Sequence, residues 1–531
     1  MSGYVIGVDL GTGGPKVALA TTGGRVLGHE FEPTPVHFLP GGGAEQDPDD
    51  WWRAISTALQ RLLARDLAPL GEIRAICMSS QWGGIVPVDA SGRHLHNAVI
   101  WMDGRGAGYS KELAGSGLTV PGVGYNAFKL REWIKKTGGV PTLTGKDPVG
   151  QIAFLKHERP EVYRAAAHLL DVPEYLTMRM TGRPVAAHDT IVLRWCTDNR
   201  STKGRGGVAY DDRLIRMAGL DPAKLPELVP PGSIVGPILP GVADELGLDK
   251  GVQVVTGTGD TTAAAVGAGA VLDGQGHLYI GTSAWLSCHV PYKKTDILTG
   301  VASMPSVVPG KYWVATIQDV AGKGIDWLIN NVFIPGDVFE TGERDHGTPE
   351  EVLERLNRLA ETSPPGSNGV VFTPWLNGER TPVDDRNVRG GWFNISLTTT
   401  RADLVRSTFE GIALNARWLN ESVEKFTGKP FGHLNFIGGG AKSTLWCQAM
   451  ADILDREIRQ VADPVLANVR GAALIASVAL GELTWEEIPD QVEIARVFTP
   501  DPANRAVYDK AFATFRALYK NNRSLYARIN G

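Results

Sequence analysis

Apolar residues along the chain cluster in short runs that end abruptly in glycine. Residues 4–9, "YVIGVD", read as a buried strand stopping at "LGTGG". "PKVALA" and "RVLGHEF" read as the next two strands, with "TTGG" as the hairpin turn between them. The period then changes from two to about 3.6. After "EQDPDDWW", Trp52, Ile55, Leu59 and Leu62 recur at helical spacing, with Asp47 suited to the N-cap and Pro48 to the first helical position. "IRAICMSS" returns to a short apolar strand. Strand, hairpin, helix, strand is an α/β pattern with a mixed sheet.

A second start falls near 252, where "VQVVTGTGD" again runs a strand into glycines. "HLYIGTSAWLSC" (277–288) and "HLNFIGGGAKS" (433–443) repeat the device, as expected for a duplicated α/β unit. The Pro-rich stretch 222–240 marks a domain boundary, giving units 1–250 and 251–531. Residues 400–428 form a long amphipathic helix, with Thr400 and Asp403 at capping-box spacing and Gly428 as C-cap. Residues 467–480 are so rich in small side chains that a buried, closely packed helix is expected.

Composition narrows the function. A chain of 531 residues with a net charge of −5 has no basic surplus for nucleic acid or an anionic membrane. Four scattered cysteines form neither a disulfide framework nor a zinc site. No signal peptide and no apolar span of about 18 residues is evident. The expectation is a cytoplasmic protein acting on small molecules.

The chemistry concentrates at the glycine turns. "DLGTGGPK" (9–16) sets an acid, a glycine turn and a lysine directly after a strand. Its spacing is neither Walker A nor the dinucleotide fingerprint, yet exposed backbone N–H groups suit phosphate oxygens. Thr12 could donate a hydroxyl, Lys16 supplies charge, and Asp9 would face Mg²⁺ through water. "FIGGGAKSTLWCQAMADIL" joins three glycines to a helix N-terminus, a plausible nucleotide edge. "TGTGDTTAAAVGAG" (256–269) surrounds one acid, Asp260, with small residues.

Together "GVDLGT", "EQDPDDWW", "WMDGR", "TGTGDTTAAAVGAG", "IGTS", "LNGERTP", "FEGIAL" and "GGGAKSTLWCQAMADIL" resemble the FGGY family of carbohydrate kinases over nearly the whole chain. The resemblance implies two actin-like, ribonuclease H-like α/β ATPase domains with mixed sheets flanked by helices, hinged around a catalytic cleft. It also implies MgATP bound by the second domain and a sugar held by the first. Asp260 matches the catalytic base and a metal-facing acid. Thr12, Gly13, Gly14 and Lys16 match the first phosphate loop, and Gly281, Thr282 and Ser283 the second. Gly439, Gly440, Ala441 and Ser443 match the adenosine motif, while Gly322 and Asp326 lie in the segment lining the nucleotide. Asp103 and Arg105 match the pentulose kinase block.

One block departs from the family. Xylulose kinases carry Gln-Met-His-Gly where this chain has Gln81, Trp82 and Gly83, so a polar substrate contact is lost and Trp82 becomes a candidate sugar face. Residues 188–200, "HDTIVLRWCTDNR", also stray from the usual Ser- and Ala-rich segment. The implied activity is ATP-dependent phosphorylation of a ketopentose or polyol, closest to D-xylulose. Ribulose, erythritol, glycerol or a longer sugar is the alternative, followed by a nucleotide-dependent binding protein without kinase activity. A homodimer is compatible with the sequence.

Overall fold

The structure, a computed structural model, describes residues 3–121, 123–200, 207–333 and 347–531. The first sheet contains β1 (Tyr4–Gly11), β2 (Gly14–Thr21), β3 (Val26–Phe31), β4 (Ile73–Ser80), β5 (Ile234–Pro237) and β6 (Gln253–Val255). Their spatial order is β5-β6-β4-β1-β2-β3, with the two-residue strand Thr258–Gly259 also pairing on β4. β1 runs antiparallel to β2 and parallel to β4, which places Asp9 opposite Lys16 and Gly11 opposite Gly14.

The second sheet contains β7 (Gly276–Ile280), β8 (Ala284–Val290), β9 (Thr295–Asp296), β10 (Val301–Pro305) and β11 (Tyr312–Ala315). β12 (His433–Ile437), β13 (Glu457–Val461) and β14 (Ile494–Phe498) complete it, in the order β9-β10-β11-β8-β7-β12-β13-β14. Its centre repeats the first sheet. β7 has an antiparallel hairpin partner on one side, β8, and a parallel strand on the other, β12, as β1 has β2 and β4. The duplication expected from the glycine-ended strands is present, but its second copy starts at Gly276. β6, expected to open the second unit, lies parallel to β4 inside the first sheet, so a division at 250/251 would cut that sheet. Its apolar run into glycine resembles a first strand because every inner strand of such a sheet is buried on both faces and ends at the cleft.

Helix α1 (Pro48–Leu63) starts as expected, the Asp47 carboxylate accepting the Asp49 N–H, and it buries Trp52, Ile55, Leu59 and Leu62 against the first sheet. Three further helices place the site: α2 (Asp260–Gly267), α3 (Arg401–Thr427) and α4 (Thr444–Leu454). The Thr400–Asp403 capping box and a left-handed Gly428 close the two ends of α3.

Helix α5 (Ala467–Ala479) is buried as its small residues predict, and it packs on α2, β1 and β4 at once. A Cβ added at Gly267 would lie 1.7 Å from the Ala467 carbonyl oxygen, and one at Gly471 1.9 Å from that of Ala263. At Gly7 it would meet the Val469 carbonyl oxygen at 2.3 Å. Backbone therefore touches backbone. Much of the small-residue run after Asp260 serves this helix crossing. An apolar cluster including Val5, Ala75, Val255, Ala264, Ile437 and Ala472 joins the two sheets. Among the described residues, no helix is long and apolar enough to cross a membrane.

Candidate functional site

The ends of β1 and the start of α2 bring two carboxylates together. Asp9 is 6% exposed, and its Oδ1 accepts the Ser79 hydroxyl at 3.1 Å. Burial holds its carboxyl above the usual range, opposed by Lys16 across the strand pair and by hydrogen bonds from Ser79 and Asn468. Asp260 opens α2 and keeps part of its surface open, while its Oδ1 accepts the Thr261 N–H at 2.7 Å. Burial, then the negative charge of Asp9, pushes it up to about 7. Tyr279 on β7 feels both acids, its phenol raised first by burial and then by Asp260 and Asp9. Sequence reading missed Asn468 and Tyr279. They belong to the second half of the chain and meet Asp9 only through the fold.

The first glycine turn is tied to the neighbouring wall. Trp101 Nε1 donates to Thr12 Oγ1 at 3.0 Å, which donates to Gln81 Oε1 at 3.1 Å. Gln81 Nε2 donates to Gln46 Oε1 at 2.6 Å, and Gln46 Nε2 returns to the Thr12 carbonyl at 2.9 Å. The Thr12 hydroxyl, expected on a phosphate, thus has its proton committed to Gln81. Gly14 packs its α-carbon against Glu32 and Pro33, whereas a Cβ at Gly13 would meet nothing within 4 Å. Gly13 is the open edge of this turn.

Trp82 lies against the loop that leads into Asp260. Its indole N–H donates to the Thr190 carbonyl at 2.9 Å, and a Cβ at Gly259 would meet its ring at 3.0 Å. Its ring centroid is 5.9 Å from that of Trp313. Gly83 has φ +82, a conformation that side chains rarely adopt, which explains glycine here in backbone terms. The Gly83 and Gly84 N–H groups donate to Asp171 Oδ2 and Oδ1, both at 3.1 Å. Behind Asp171, the buried Arg194–Glu174 pair closes at 2.6 Å. Asp189 is also buried, accepts the Thr258 hydroxyl at 2.5 Å, and is pushed up to about 6 by burial.

Asp103 and Arg105, expected to hold substrate, are taken up elsewhere. Asp103 is fully buried, accepting the Ala44 N–H at 2.8 Å, the Arg105 N–H at 2.9 Å and the guanidinium at 2.6 Å. Arg105 also bonds Glu45 at 2.6 Å and lies 4.0 Å above the Phe154 ring. A buried carboxylate needs such a complete set of partners, and these occupy the Asp103 carboxylate and the Nε and Nη2 donors of Arg105.

On the other side, Gly281, Thr282 and Ser283 form the β7–β8 turn, closed by the Gly281 N–H on the Ser283 carbonyl at 3.0 Å. The Gly281 carbonyl accepts from Gly322 at 2.8 Å, and the Thr282 carbonyl from Ala321 at 3.1 Å and Lys323 at 3.2 Å. This ties the turn to the short helix Gly322–Leu328, on which Asp326 is exposed. Ser443 caps α4, accepting the Trp446 N–H at 3.1 Å and donating to Asn357 at 2.6 Å, so its hydroxyl is committed. Gly440 packs on Ile280 and Trp446, and Ala441 is buried, but Gly439 faces open space.

Two glycine-edged α/β sheets thus meet around a carboxylate pair. The model for the N-terminal domain of the FGGY family of carbohydrate kinases matches residues 4–267, and that for the C-terminal domain residues 277–480. The chain belongs to this family and is an ATP-dependent sugar kinase. A xylulose kinase of Staphylococcus epidermidis is 28% identical, with 99% of this chain and 98% of the relative covered. A gluconokinase of Bacillus subtilis is 24% identical, covering 100% and 98%. The crystal structure of ligand-bound xylulose kinase from Lactobacillus acidophilus matches the fold with a TM-score of 0.84, at 23% identity and 99% coverage of both chains.

Proposed function

We propose that the chain transfers the γ-phosphoryl group of ATP to a terminal hydroxyl of a ketopentose or polyol, with D-xylulose the leading candidate. The observation carrying this reading is Asp260, raised to about 7, beside Asp9 and directly after Gly259, on which Trp82 rests. Asp260 takes the proton of the attacking hydroxyl as its oxygen bonds to phosphorus, while the bond to the β-phosphate bridging oxygen breaks and ADP leaves. A carboxylate near pH 7 both accepts that proton and releases it afterwards.

The donor set fits a hard divalent cation. Asp260, whose proton affinity the charge of Asp9 raises, gains from positive charge between the two acids, and oxygen ligands suit Mg²⁺. Asp9 and Asp260 would hold it, and it would neutralise charge on the phosphates. Gly13 and Gly439, whose α-carbons face open space, are the edges where phosphate and nucleotide would lie against backbone. The residues gathered at the sugar wall, Gln81, Trp82, Gly83, Leu193 and Trp101, are uncharged. They favour a neutral sugar over an aldonate such as gluconate, whose carboxylate would need a cationic partner.

A coupled ADP-release assay over pentuloses, polyols, tetritols and gluconate tests the substrate. Asp260→Asn tests the base: kcat is expected to fall by about 10²-fold or more, with sugar and ATP affinity kept within about tenfold. Retention of more than about a tenth of kcat would remove Asp260 from the role.

A further inference from the structure

Two adjacent residues in the divergent segment 188–200 hold the two loops on which the reaction depends. The Thr190 carbonyl accepts the Trp82 indole N–H at 2.9 Å. The Asp189 carboxylate accepts the Thr258 hydroxyl at 2.5 Å, two residues before Asp260. The turn carrying them is itself fixed. The Thr190 N–H returns to the Ala187 carbonyl at 3.1 Å, and the Thr190 hydroxyl reaches Glu174 at 3.3 Å. Buried Arg194 binds Glu174 at 2.6 Å and the Leu169 carbonyl at 2.8 Å. Glu174 Oε2 accepts the Asp171 N–H at 2.8 Å, and Asp171 holds the amides of Gly83 and Gly84. The loop from Gln81 to Gly84 and the loop from Thr256 to Asp260 therefore hang from one buried polar frame.

We propose that Asp189 is a positioning residue for Asp260, and that the Asp189–Thr190 turn couples seating of the substrate on Trp82 to placement of the base. The inference rests on the kinase reading above. Its physical content is that Thr258 is locked in one rotamer by a carboxylate that accepts its hydroxyl proton in a hydrogen bond. Gly259 is pressed between that lock and the Trp82 ring, so the backbone entering α2 has one position. Without the lock, Asp260 remains present but samples positions away from the attacking hydroxyl. A misplacement of about 1 Å costs about 10²-fold in rate.

The test uses Thr258→Val, which keeps shape and loses the hydroxyl, together with Asp189→Ala, Asp189→Asn and the Thr258→Val/Asp189→Ala double variant. Steady-state kinetics with ATP and the best sugar are paired with amide exchange of residues 256–262. Thr258→Val and Asp189→Ala should each lower kcat by about 10- to 100-fold, with KM for ATP unchanged within about twofold. The double variant should fall no further than the worse single variant, because both remove one contact. Asp189→Asn, whose amide oxygen still accepts the hydroxyl, should lose only about fivefold. Exchange in 256–262 should quicken by about tenfold in Thr258→Val, a change read without any turnover. Losses that multiply in the double variant, or unchanged exchange in Thr258→Val, overturn the inference. Quickened exchange in Thr258→Val, with the unsubstituted protein phosphorylating no sugar of the panel, would keep the frame and overturn the substrate reading instead.

Discussion

Replacing Gly471 by alanine adds one methyl group where α5 crosses α2. The new Cβ would stand 1.9 Å from the Ala263 carbonyl oxygen, 2.8 Å from its carbon and 3.0 Å from the Gly267 nitrogen. All three atoms are backbone, so no side chain can swing aside. The closest comfortable C···O approach is about 3.3 Å, so the helices must part by about 1.4 Å. Overpacking of this kind costs about 1–3 kcal/mol or more, well above the roughly 1 kcal/mol that alanine gains over glycine as a helix former. Because α2 begins with Asp260, the same displacement moves the base, and kcat should fall by about 10²-fold. Gly108→Ala is the matched control: it lies in the helix Ala107–Gly115 with nothing within 4 Å of the added atom. There alanine should stabilise by roughly 0.5–1 kcal/mol and leave kcat alone. Thermal unfolding and steady-state kinetics on both variants give the comparison. A Gly471→Ala protein melting with the wild type, at kcat within about twofold, would refute the reading of this crossing.

Three further outcomes are expected. For the free enzyme, kcat/KM should fall about tenfold per pH unit below about 7, because the raised carboxyl of Asp260 must lose its proton to act as base. A flat profile between about pH 6 and 8, about one unit either side of about 7, would exclude it as the titrating group. Gly439→Val should raise KM for ATP by about tenfold or more with no change in melting temperature, since its side chain points into open space; equal KM values would move the nucleotide elsewhere. Trp82→Ala should raise KM for the best sugar well beyond any change for ATP, and matched changes would reduce Trp82 to packing between Gly259 and Trp313.

Local patterns determined much of this protein. Strands ending in glycine marked Asp9, the 281–283 turn and the 438–443 turn. The Asp47 and Thr400 caps were legible because capping depends on neighbours within a few residues. Asp260 stood out as one acid in a run of small residues. Sequence could not decide which copy of the duplicated sheet β6 joined, because a doubly buried strand reads alike in either. Nor could it decide how Asp103, Arg105, Thr12 and Ser443 spend their polar groups. Their partners are Glu45, Gln81 and Asn357, which lie 60, 69 and 86 residues away in the chain. Asn468 and Tyr279 reach the acid pair only because α5 and β7 fold back against the first sheet. Hydrogen bonds within a few residues leave a mark on local composition, whereas those closed by packing two sheets together exist only once the chain has folded.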